Sequence, residues 1–278
     1  YGIYHHQAYW SHGPHLVQAV SPAKIGAIVK DAHRRQSTHY VITNVSNVRE
    51  FLPGLAALGE ALQAPAGFNP DEFLTRWCQE RFGEHADAVE RCYRQFYASF
   101  ELEGVNHRVP PLDGASYLMG LRLLNAVGQR IGPRYQLDSP SKVEAAIASV
   151  RRQAAALDRL GREIDATADT LKGDARQLFV VNLMVQQRIM LGLLRWSEGV
   201  LEGVLAFQRR DWAAGAQSLR RANTHMDAIQ QAQALASFGV WEHWYRGDRK
   251  MNLARGRELA NEVASKAAAE AEARRQDN

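Results

Sequence analysis

A chain of 278 residues allows one or two domains, and 46% hydrophobic content is ample for a packed core. Its 34 basic residues stand against 30 acidic ones, so the net charge of +4 is a small imbalance in a mixed surface and argues against nucleic acid as a partner. The two cysteines, Cys78 and Cys92, form no C-x-x-C pair, so neither a disulfide framework nor a zinc knuckle is indicated.

The first fifty residues predict two successive strand–loop–helix units. A strand over Tyr1–Gln7 runs into a loop from Ala8 to Ser21, and a helix starts at Ser21-Pro22. The next strand covers Tyr40–Val45. Strand, helix, strand on this spacing is a βαβ crossover, with parallel strands covered by helices. Chemistry in such folds sits beyond the carboxyl ends of the strands. Those ends present His5, His6, Tyr9 and Trp10 from the first unit and Asn44, Ser46, Asn47 and Arg49 from the second.

From Glu50 onward the chain shows only helical patterns divided by Pro and Gly. Asn69-Pro70 supplies a cap and a first-turn proline for a helix over Asp71–Arg81, with Phe73, Leu74 and Trp77 at helical spacing. Helices follow over Glu84–Phe100 and Ala115–Ile131, then three long ones: Pro140–Leu171, opened by a Ser141/Glu144 capping box, Asp174–Arg209 and Trp212–Ser237. Short turns between long helices predict antiparallel packing, with Trp196 buried beside Leu193 and Val200. The stripe Leu183, Val185, Ile189, Leu191, Leu193, Leu194 reads as core, with no cofactor implied. The same apolar run meets Arg188 and Arg195, too soon for a bilayer span, so no membrane is expected as a partner. Ala254–Asn278 is Ala-rich with balanced charge, a solvated helix or a frayed tail.

Two βα units cannot close a sheet or a barrel, because a lone parallel pair leaves both edges and one face uncovered. The expectation is therefore a chain of class α/β plus all-α: the end of a (β/α)8 TIM-like barrel, a fragment with further βα units before Tyr1, followed by an antiparallel helical bundle. The division is residues 1–68 for the βα units, 69–253 for the bundle domain and 254–278 for the tail. A mostly helical protein with a small β element is the alternative.

Four histidines, His5, His6, His12 and His15, invite a metal site. Adjacent strand residues point to opposite faces, however, and no Asp or Glu stands near to complete a coordination sphere, so no metal and no cofactor is expected. His6 reads instead as a hydrogen-bonding group toward substrate or as a neutral core histidine, Tyr4 and Tyr9 as sugar-stacking rings or packing, and Asn44 as a ligand or an Asx turn. The aromatic segment Trp241–Asn252 fits either a carbohydrate platform or a buried strap, and the strap is the better fit.

Tyr4-His5-His6-Gln7-Ala8-Tyr9, then His12-Gly13-Pro14, then Val41-Ile42-Thr43-Asn44-Val45 after one helix, resembles the barrel of family 115 glycoside hydrolases, the xylan α-glucuronidases. The resemblance covers the first hundred residues best and the bundle in outline. It implies that Tyr4, His6, Tyr9 and Asn44 line a glucuronic acid pocket, with a polysaccharide or oligosaccharide as partner. It also implies a secreted or periplasmic enzyme and allows a homodimer of the full-length protein. His5 stands where the family has Tyr, and Ser46-Asn47 where it has Gly-Asp. Glycoside hydrolysis ordinarily uses two flanking carboxyl groups. Between Tyr1 and Arg49 the only acid is Asp31, inside the first helix, with Glu50 just beyond. The resemblance also implies that the catalytic acids lie upstream of Tyr1, and the chain alone is expected to be inactive. A non-catalytic interaction module built on the helices is the competing class.

Overall fold

The computed structural model describes residues 1–7, 17–45, 48–104, 108–112, 114–131, 139–245 and 252–276. In chain order the regular elements are β1 (Ile3–His6), α1 (Pro22–Arg34), β2 (Val41–Asn44), α2 (Leu52–Gln63), α3 (Pro70–Phe82), α4 (Ala86–Ala98), α5 (Ala115–Arg130) and α6 (Pro140–Thr170). They continue with α7 (Gly173–Phe179), α8 (Val185–Gln208), α9 (Trp212–Leu235) and α10 (Leu253–Gln276). A π-helical turn, Val180–Met184, joins α7 to α8. The chain is mostly helical with one small two-stranded sheet, α/β at its start and all-α after it. Packing divides it into two compact units, Tyr1–Asp113 with Leu157–Gln187, and Gly114–Ala156 with Arg188–Asn278. Residues 69–253, expected as one bundle domain, are thus shared between the units.

In the first unit β1 and β2 pair in parallel, Tyr4 opposite Ile42 and His6 opposite Asn44. Gln7 N–H donating to Asn44 O at 3.0 Å extends the ladder past the strand end. Ser21 caps α1 by accepting from Lys24 N–H at 3.2 Å, with Pro22 fixing the first turn, and the helix buries Ile25, Val29 and Ala32. Asn69 caps α3 in the same way through Asp71 and Glu72 N–H, and Phe73, Leu74 and Trp77 are buried as their spacing predicts. Cys78 and Cys92 are buried, free thiols.

A buried polar relay underlies the strand ends. Gln7 Nε2 donates to Gly54 O at 3.1 Å, Gly54 N–H to Gln18 Oε1 at 2.8 Å, Gln18 N–H to Gln186 Oε1 at 2.5 Å, and Gln186 Nε2 to Glu50 O at 2.8 Å. Buried amides without partners cost free energy, and this relay answers most of that demand.

In the second unit α8 runs against α9 with small residues at the contact. A Cβ on Gly199 would stand 2.8 Å from Ala222 Cβ, and one on Gly192 would stand 2.5 Å from the Ile229 side chain. Trp196 is fully buried with Leu193 and Val200, as expected, and its Nε1 donates to Asn223 Oδ1 at 3.2 Å. The tail from 254 is helical and not merely solvated: α10 packs on α9 and α5 through Leu259, Ala260, Val263, Ala264 and Ala267, all buried.

Gly173–Gln208 is long and apolar enough to cross a membrane by length and composition, but 78% of its most apolar window is buried inside the fold. In the described part of the Trp241–Asn252 segment, Trp241 and Tyr245 are half-buried and Trp244 is exposed, with Trp241 and Trp244 meeting edge-on at 5.2 Å. Residues 246–251 of that segment lie outside the described residues.

Candidate functional site

Strand alternation divides the β1 residues between two faces. His5 is buried at 3% exposure, whereas Tyr4 is 61% exposed. In register, Tyr4 and His6 share a face with Ile42, 54% exposed, and Asn44. Three of the four expected site residues, Tyr4, His6 and Asn44, are therefore brought together on the open face. Asn44 Nδ2 lies 3.0 Å from His6 Nδ1, and the Tyr4 ring is tilted at 54° over the His6 ring with centroids 4.5 Å apart. With Asn44 as donor, His6 Nδ1 accepts and the imidazole proton sits on Nε2. The fourth, Tyr9, lies outside the described residues, as do Trp10, His12, His15, Ser46 and Asn47.

His5 behaves differently from its neighbour. Burial, then the charges of His6 and Lys24, push its pKa from 6.5 to about 4, so it is neutral over the physiological range. Arg49, expected among the strand-end groups, instead pairs with Glu50 at the 3-10 turn Arg49–Phe51, and the Glu50 side chain is 1% exposed. Asp31 is bound by Arg34 of α1 and by Arg35 just past its end, which hold its carboxyl below the usual range. Neither strand contributes a carboxylate, and the described residues contain no cluster of three or more His, Cys, Asp or Glu able to hold a metal. The open face can stack on and hydrogen-bond a polar ligand. It does not by itself supply an acid and a base.

The polar relay through Gln7, Gln18 and Gln186 went unforeseen in the sequence. Its partners are 47, 36, 168 and 136 residues apart, and no local pattern links residues at such separations.

Residues 1–104 match the family described as Glycosyl hydrolase family 115. The N-terminal part of the chain is assigned to that family. The family 115 segment takes in β1, β2 and α1 to α4, and with them Tyr4, His6, Tyr9 and Asn44. It supports a glycoside hydrolase role in general, with a carbohydrate as the substrate class. No curated protein and no solved structure matches the chain.

Proposed function

We propose that the open face of β1 and β2 is part of the sugar pocket of an α-glucuronidase-like glycoside hydrolase acting on xylan decorated with glucuronic acid, or on a related polysaccharide. The observation that carries this reading is the His6–Asn44 hydrogen bond beneath the exposed Tyr4 ring, within the segment matched to family 115. An aromatic ring beside a polar pair suits a pyranose, whose faces are apolar and whose edge carries hydroxyls. The resemblance to family 115 adds Tyr9 to the same pocket. The acid and base come from βα units upstream of Tyr1, which complete a (β/α)8-like barrel followed by an antiparallel helical bundle.

The test is made on the full-length protein. Removing a hydrogen bond to a charged group costs about 1.5–3 kcal/mol. Asn44→Ala and Tyr9→Phe are therefore expected to lower kcat/KM on decorated xylooligosaccharides by roughly tenfold to a hundredfold, with melting temperature nearly unchanged. A lowered melting temperature with the specific activity of the folded fraction intact would make these residues structural.

A further inference from the structure

A groove of about 370 Å³ opens in the second unit, lined by Arg195, Glu198, Glu202, Arg221 and His225, with Gly199 and Ala222 completing its wall. Arg195 Nη1 donates to Glu198 Oε2 at 2.9 Å, and Arg151 Nε to Glu198 Oε1 at 2.8 Å. Arg151 Nη2 then bonds Glu202 Oε1, and Arg221 Nη2 donates to Glu202 Oε2 at 2.6 Å. The result is an alternating chain of ions, Arg195–Glu198–Arg151–Glu202–Arg221. All four carboxylate oxygens are engaged. Three cations against two anions leave one positive charge, and both ends of the chain are guanidinium groups lining the groove.

We propose that this groove binds a small oxyanion, a carboxylate or a phosphate, between Arg195 and Arg221. A guanidinium carries five N–H donors, and each terminal arginine commits one to a glutamate at the distances above. The glutamates also hold the arginines in place, so less side-chain freedom is lost when an anion docks. Because every carboxylate oxygen already faces a guanidinium, the negative charge at the groove is largely neutralised and the net attraction is for an anion. An anion bridging the two terminal arginines would instead close the chain into a ring of alternating charge. His225 stands at the same wall, and burial, then Arg195, hold its pKa below the ordinary value, with Arg221 adding to the effect and Glu198 opposing it. It is thus a neutral reporter that an arriving anion shifts upward. The volume is ample for such a group. The inference does not depend on the sugar-pocket reading.

The experiment is an NMR titration of the 278-residue chain with acetate in one arm and inorganic phosphate in the other, each against chloride at equal ionic strength. The His225 imidazole resonances and their pH titration are followed. Saturable shifts and a raised His225 pKa with either probe are expected, and the probe that binds more tightly names the ligand class. Arg221→Gln and Arg195→Gln should each weaken binding by roughly tenfold or more. Arg255→Gln, on exposed α10 surface, should leave it unchanged. Arg221 is 61% exposed in its side chain, so its variant keeps the fold and decides the matter should Arg195→Gln unfold. Absence of saturation with both probes, or equal weakening by Arg255→Gln, overturns the proposal.

Discussion

His5 and His6 are neighbours in sequence with opposite fates, and the difference is measurable. His5 holds a pKa of about 4 in the folded chain against 6.5 when exposed, so between these values the unfolded chain binds a proton that the folded chain does not. Its contribution to stability is present above pH 6.5 and is lost as pH falls toward 4, by up to about 3 kcal/mol at roughly 1.4 kcal/mol per pKa unit. Urea denaturation at pH 7.5, 6, 5 and 4 should show this fall, and His5→Leu should flatten it. An unchanged slope in the variant would place the acid sensitivity elsewhere. The thiols follow the same logic: burial raises Cys78 to about 12 and also raises Cys92, so little thiolate exists near neutral pH. Both are expected to resist alkylation by iodoacetamide in the native chain and to react fully in denaturant, with mass spectrometry as the readout.

At the scale of elements, two helical glycines separate propensity from packing. Gly59 in α2 is exposed, and an added Cβ would meet nothing within 4 Å, so Gly59→Ala should raise stability by roughly 0.5–1 kcal/mol. Gly199 in α8 faces Ala222 of α9, where an added Cβ would sit 2.8 Å from the Ala222 Cβ. Gly199→Ala should therefore lower stability by about 1–2 kcal/mol, since separating two packed helices outweighs the gain in propensity. Thermal melts of both variants check the pair, and a stabilised Gly199→Ala would show that the helices part easily. The helix bounds themselves were close to the sequence expectation because their punctuation is local: Ser21-Pro22, Asn69-Pro70 and Asp211 each cap the helix that follows. α10 was ambiguous because its apolar face is largely alanine and gives a weak period, and only the surfaces of α9 and α5 show that this face is buried.

For the whole molecule, the decisive question is whether one chain carries a complete glycosidase. The strands carry donors and rings but no carboxylate, Glu50 is buried against Arg49, and Asp31 is engaged by Arg34 and Arg35. Hydrolysis by the usual route uses two carboxyl groups on either side of the scissile bond. The 278-residue chain is therefore expected to release no glucuronic acid from decorated xylooligosaccharides, measured by chromatography of the products. Robust release would locate an acid and base within this chain and refute the division of labour proposed for the pocket.

Periodicity and capping are properties of neighbouring residues, so the sequence by itself determined the two short strands, nearly all the helices and the burial of Trp196. The alternation of a strand likewise separates His5 from His6 by pattern alone. What only the tertiary structure decided are relations between residues far apart in the chain. The His6–Asn44 bond depends on a parallel register that brings residues 38 apart face to face. The Gln7–Gln18–Gln186 relay and the Arg195–Arg221 groove depend on helices meeting at particular faces. Side chains such as Gln and Arg bond equally well to water, and their composition alone does not say which of them finds a protein partner. That choice is made when packing removes the water, and packing belongs to the fold as a whole.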